Sequence, residues 1–209
     1  VYETIKETKN KLSANNKDTI GFVGAPWTLL LYMLNRKSPK GGNFNVFPKD
    51  KYIHNIMMKL DEFLKIHIEA QIKNGASIIQ IFDSWAGLLP EKDLEYFVYK
   101  PIKSLVDFIR QKKTISICFP RNIDNYKRFV ENVNPDVISI DYNIDPLIIR
   151  DTIDITVQGG IDPKILLQNK DIVRNEVTKY LKTFDKKRYI FNLGHGVLPD
   201  TNPDMVKYL

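Results

Sequence analysis

Cysteine is nearly absent: Cys118 stands alone among 209 residues, so neither an internal disulfide nor a multi-cysteine metal site is available. Histidine is scarce as well. Of the three, His54 and His67 are thirteen apart on one helical stretch, too far for two metal ligands a turn apart, and both are read as surface or rim residues. No apolar run reaches the roughly 18 residues that a membrane span needs. Val1-Tyr-Glu-Thr-Ile-Lys6 has no apolar core of a secretion signal. The first residue is Val1 rather than Met, so the natural start is expected elsewhere. No stretch interleaves Arg and Lys with aromatics, which argues against nucleic acid. These absences point to a cytoplasmic protein with no membrane, nucleic-acid or metal partner.

What is present is ordinary for a globular chain: 43% hydrophobic and 27% charged residues, enough for one domain over 1–209 with its own core. The net charge is +6, from lysines spread evenly along the chain. That is read as a solvated basic surface, with a polyanionic ligand as the functional alternative.

Apolar runs alternate with amphipathic stretches. Strands are expected at Thr19–Gly24, Ala76–Phe82, Thr114–Phe119, Asp136–Asp141, Ile153–Gln158 and Arg188–Leu193. Helices are expected at Tyr2–Leu12, Pro26–Asn35, Asp50–Asn74, Leu94–Gln111, Tyr126–Val133, Pro146–Arg150 and Asp171–Phe184. Pro26 suits a first helical turn. Asp50 reads as an N-cap and Gly75 as a stop. Pro101 starts a second segment or kinks the fourth helix. In the longest helix Ile53, Ile56, Met57, Leu60, Phe63, Leu64, Ile68 and Ile72 follow the spacing of one buried face. Lys37 to Pro48, with Gly41-Gly42 and two prolines, reads as a mobile loop.

Six strands alternating with helices mean a parallel sheet and the α/β class. Each strand ends in a polar or glycine-rich loop, the plan of a (β/α)8 TIM barrel with about six of its eight βα units. A doubly wound sheet ranks second, because no Gly-X-Gly-X-X-Gly turn is present. The loops after the first, second, fifth and sixth strands gather the unusual residues: Trp27, Tyr32, Phe82-Asp83-Ser84, Gln158-Gly159, Asp162 and His195. His195 lies between two glycines at a strand tip. By themselves these residues describe a ligand pocket. The structural alternatives, which rank second, are Tyr32 as a core tyrosine, Ser84 as a helix N-cap, Phe82 as core and His195 as a brace of the C-terminal loop. Asp83 and Asp162 read as capping and turn aspartates, and Trp27 as packing.

Four segments carry a resemblance. Gly21-Phe-Val-Gly-Ala-Pro-Trp-Thr-Leu-Leu-Leu-Tyr-Met33, Gln80-Ile-Phe-Asp-Ser-Trp-Ala-Gly87, Gln158-Gly-Gly-Ile-Asp-Pro163 and Phe191-Asn-Leu-Gly-His-Gly-Val-Leu-Pro-Asp-Thr201 resemble, in order, the motifs of the uroporphyrinogen decarboxylase family. The resemblance implies a cofactor-free barrel acting as a homodimer in haem biosynthesis, which converts the four acetate side chains of a tetrapyrrole, uroporphyrinogen III, to methyls. It implies that Tyr32 hydrogen-bonds the reacting acetate, that Ser84 and His195 contact substrate carboxylates, and that Phe82 packs on the tetrapyrrole face. Charge-assisted hydrogen bonds suit a ligand with eight carboxylates, and a dry, preorganised site suits the cationic intermediate of a decarboxylation.

The family's Arg-Pro-X-X-Arg-Gln motif and its aspartate facing the pyrrole nitrogens have no counterpart before Gly21. The resemblance therefore implies a C-terminal fragment, two strands short and inactive alone, with a non-catalytic tetrapyrrole-binding or partner-dependent fragment as the alternative. Smaller departures are Gly160 for an asparagine, Pro120-Arg121-Asn122 without the usual glycine, and Tyr142-Asn143 for Trp-Thr. A corrinoid-linked methyltransferase is the rival enzyme, but it requires a zinc-ligating cysteine.

Overall fold

The strands form where β-branched residues cluster and the helices where apolar residues recur every third or fourth position. The computed structural model describes residues 1–15, 17–36, 39, 49–184 and 188–209; apart from Pro39 the expected loop over Lys37 to Pro48 lies outside them. The chain divides into two compact units, Val1–Asp136 and Val137–Leu209.

In the first unit, α1 (Tyr2–Ser13) precedes β1 (Ile20–Gly24), α2 (Pro26–Asn35), α3 (Lys51–Lys73) and β2 (Ile78–Asp83). A helix runs on from α4 (Glu91–Leu94) through a π turn (Glu95–Tyr99) into α5 (Lys100–Gln111), followed by β3 (Ile115–Pro120) and α6 (Tyr126–Val133). The strands are parallel, with Gly24 beside Phe82 and Phe82 beside Phe119. Pro101 has no N–H and its ring crowds the carbonyl four residues back. The helix accommodates it next to the π turn rather than breaking.

Alternation decides the two faces of this sheet. Val23, Ile79, Ile81 and Cys118 are buried, as are Trp27, Leu30 and Leu31 of α2. Trp27 packs on Phe97 with ring centroids 5.0 Å apart. Each such side chain contributes about 2–3 kcal/mol by leaving water. Ile20, Phe22 and Ile115, on the other face, remain exposed. On α3 the buried face is Ile53, Met57, Leu64, Ile68 and Gln71. Phe63, expected on that face, is 68% exposed, because it stands about 100° around the helix from Leu64. Asp50 caps α3 by accepting from the Ile53 N–H at 2.8 Å.

The outer edge of β1 is closed by a side chain. The Gln71 amide accepts from the Phe22 N–H and donates to the Phe22 carbonyl, both at 3.0 Å, in the manner of a neighbouring strand. Gly21 makes room for it: a Cβ there would stand 2.5 Å from Gln71 Oε1.

In the second unit, β4 (Val137–Ile140), α7 (Pro146–Thr152), β5 (Thr156–Gly159), a 3-10 helix (Pro163–Leu167), α8 (Lys170–Thr183), β6 (Tyr189–Ile190) and α9 (Pro203–Tyr208) follow in order. The pairs β4–β5 and β5–β6 are parallel. The last strand is shorter than the expected Arg188–Leu193. The Asn192 side chain captures the Leu193 N–H at 2.9 Å, which competes with the ladder. Leu193 keeps a single bridge to Ile161. Phe191 is exposed, so the segment is not the buried strand that its apolar residues suggest.

Candidate functional site

In the first unit the ends of three strands are knitted into one surface. Ala25 donates from its backbone to the Phe82 carbonyl at 2.8 Å, and Arg121 N–H donates to the Asp83 carbonyl at 3.0 Å. Gly87 N–H donates to the Arg121 carbonyl at 3.0 Å. Gly87 has no alternative here, because a Cβ would fall 2.1 Å from the Asn122 carbonyl oxygen. Trp27 Nε1 donates to the Trp85 carbonyl at 2.9 Å, which binds the start of α2 to the loop after β2.

Phe82 is half-buried in an aromatic row. It meets Phe22 at 6.0 Å and 80°, and Phe119 at 6.0 Å and 79°, both edge to face. With Phe22 66% exposed, the row is an apolar wall and not sealed core. Ser84 follows directly and is half-buried. The next helical turn, Ala86–Leu88, is entered at Trp85 without a side-chain cap, so Ser84 is not spent on capping. Tyr32 lies on α2 and is 39% exposed, unlike a core tyrosine. Among the described residues, the Tyr32 and Ser84 hydroxyls meet no hydrogen-bond partner.

Asp83 points to the opposite side of β2 from Phe82, as the period of two requires. It is fully buried, and its Oδ1 accepts from Thr28 Oγ1 at 2.6 Å, whereas Oδ2 has no partner among the described residues. Burial pushes its carboxyl up to about 7, against hydrogen bonds from Thr28 and the Trp85 backbone that favour the charged form. Thr28 sits one helical turn before Tyr32, on the same side of α2. The aspartate therefore fixes the helix that carries Tyr32 against the strand that carries Ser84. Sequence reasoning placed Asp83 as a capping residue and passed over Thr28. The four-residue spacing from Thr28 to Tyr32 was the available signal.

In the second unit, His195 is exposed on the loop after β6. Its ring meets no hydrogen-bond partner among the described residues, so it does not brace the loop by that means. The two flanking glycines differ. Gly194 is required, because a Cβ would stand 2.7 Å from Tyr142 N, and its own N–H donates to the Ile161 carbonyl at 2.7 Å. Gly196 has open space around it. Gly159 and Gly160 take φ of +84° and +102°. Their carbonyls accept from the Tyr189 and Tyr180 hydroxyls at 3.0 and 2.6 Å, hydroxyls that burial holds protonated. Asp162 caps the next turn by accepting from the Lys164 N–H at 2.9 Å, the turn role that the sequence implied.

Two of the sequence departures have a local reason. Asn122 adopts φ of 59°, the left-handed conformation that a glycine takes readily and an asparagine tolerates. Gly160 leaves room for Tyr180, whose Cε1 would lie 2.8 Å from a Cβ at 160. Cys118 is fully buried, and burial pushes its thiol up, followed in effect by the Asp136 and Asp83 carboxylates. Among the described residues no three His, Cys, Asp or Glu side chains group together for a metal, and no helix is long and apolar enough to cross a membrane.

Known proteins give the geometry a context. All of the chain aligns with uroporphyrinogen decarboxylase of Rickettsia bellii (strain RML369-C) at 39% identity over 222 residues, covering 63% of that protein. It aligns with the enzyme of the same name from Rickettsia felis (strain ATCC VR-1525 / URRWXCal2) at 36% identity, covering 62%. The chain thus spans less than two thirds of the length of these curated relatives. Among solved structures, a B12-independent methionine synthase from Shewanella sp. W3-18-1 superposes on 99% of the chain with a TM-score of 0.70 at 13% identity, which is a likeness of fold alone. The fold is of the (β/α)8 TIM-barrel class, with six βα units. The family model for uroporphyrinogen decarboxylase matches residues 1–209, and the chain belongs to that family.

Proposed function

We propose that the chain forms the pocket-bearing part of a uroporphyrinogen decarboxylase, a carboxy-lyase that turns the four acetates of uroporphyrinogen III into the methyls of coproporphyrinogen III. The supporting observation is the family match over the whole chain together with coverage of 62–63% of the relatives. In this reading residues 1–209 are one barrel-type domain in a cytoplasmic homodimer. Phe82 lies against the tetrapyrrole face. Ser84 donates its hydroxyl to a carboxylate, and His195 contacts another. Tyr32 hydrogen-bonds the acetate that reacts.

The chemistry needs no cofactor. A proton added to the pyrrole makes the ring an electron sink, the carbon–carbon bond to the carboxylate breaks and carbon dioxide leaves; the exocyclic methylene then takes a proton to become the methyl, and the ring gives back the proton it took. The apolar row of Phe22, Phe82 and Phe119 keeps water from the ring, and fixed dipoles act more strongly in such a dry site. The same coverage favours a second reading, in which the chain binds tetrapyrrole without turnover or needs a partner chain.

Single-turnover conversion of uroporphyrinogen III, followed by chromatography of the oxidised porphyrins, tests both readings. The expected result is binding without product for the chain alone, and product when the remaining third of a relative is added in trans. Product from the chain alone would overturn the dependence on a partner. Absence of binding would overturn the tetrapyrrole reading.

A further inference from the structure

Among the arginines described in the first unit, Arg121 stands out. Arg110 pairs with Asp107 at 3.1 Å and Arg128 with Glu91 at 2.6 Å. The Arg121 Nε–H is shut off from water and meets no acceptor among the described residues. A guanidinium N–H without water or an acceptor is costly, and the cost is removed when an anion reaches it.

The main chain holds this residue firmly. Arg121 N–H donates to Asp83, and its carbonyl accepts from Gly87, both at 3.0 Å. Asp83 pairs with Pro120 as the last step of the strand register, and the bond from the Arg121 N–H to the Asp83 carbonyl keeps the residue after each strand, Ser84 and Arg121, at neighbouring strand ends. Two residues back on each strand, Phe82 and Phe119 meet edge to face. Two adjacent strand ends therefore carry an aromatic pair and, two residues on, a hydroxyl and a cation. That arrangement matches an aromatic ring bearing a carboxylate side chain. A guanidinium also holds a carboxylate through two parallel hydrogen bonds, which an ammonium does not.

From this geometry we infer that Arg121 is a ligand-binding residue, whose guanidinium takes a carboxylate next to Ser84. The inference rests on the tetrapyrrole reading for the identity of the ligand, but not for the anion site itself.

The Arg121 Nε–H signal of the whole chain, followed by NMR, tests it with two probes: uroporphyrin III, the oxidised octacarboxylate porphyrin, and succinate. The expected result is that both probes move this signal. Arg121→Gln then weakens porphyrin binding by about tenfold or more, and Arg121→Lys restores only part of it. Porphyrin binding that leaves the signal in place, with Arg121→Gln within about twofold of the original, overturns the inference and spares the tetrapyrrole reading. A signal moved by succinate in a chain that binds no porphyrin upholds the anion site and removes its assignment to a tetrapyrrole. If neither probe moves the signal, the inference is wrong.

Discussion

Replacing Asp83 by asparagine removes a charge that the fold resists. In the folded chain the carboxyl is raised from 3.8 to about 7, chiefly by burial. The folded form therefore holds this proton more tightly than the unfolded chain does. Its contribution to stability is fully present below about pH 4 and is lost as pH rises through about 7. A rise of that size corresponds to on the order of 4 kcal/mol between the two protonation states. Asparagine keeps an acceptor for the Thr28 hydroxyl and never ionises. Its amide leaves one polar group unpartnered, as the protonated acid also does at Oδ2. The two proteins are thus expected to be of similar stability below about pH 4. Above about pH 8 the Asp83→Asn protein is expected to be the more stable by a few kcal/mol. Urea unfolding followed by tryptophan fluorescence at a series of pH values reads both curves. Parallel curves for the two proteins would show that Asp83 binds its proton equally well in the folded and unfolded chain, and the account of its burial would be wrong.

The edge of β1 gives a second test. Gln71→Ala removes both hydrogen bonds to Phe22 and is expected to cost about 2 kcal/mol in urea unfolding. Gly21→Ala forces the same amide aside, so the double variant should lose much less than the sum of the singles, and additivity would refute the clamp. Gly160→Asn restores the residue that the family motif carries. It is nonetheless expected to lower stability by about 2 kcal/mol, because φ is +102° and Tyr180 occupies the space. A raised melting temperature would show that Tyr180 yields.

Local chemistry made much of this fold legible. Helices Pro26–Asn35 and Tyr126–Val133 lie where the sequence placed them, because a proline in the first turn and an Asn125 cap act within a few residues. The ends of the first five strands were legible for a related reason, since an apolar run that gives way to polar or glycine residues marks where a strand stops. Phe63 and the short β6 were not. One depended on which part of an apolar stripe met the sheet, and the other on an Asn192 side chain that took a backbone donor.

The candidate site divides along the same line. The sequence alone named Tyr32, Phe82, Ser84 and His195, through motifs that each occupy one contiguous segment. It did not disclose that Asp83 bonds Thr28 fifty-five residues away, or that Gln71 pairs with Phe22 across forty-nine. Nor did it single out Arg121 as the guanidinium left with an unanswered N–H. A side chain's local preference is set by its neighbours in the chain. Whether a polar group finds a partner, or is buried without one, is set by which distant segments the packed sheet and helices bring together.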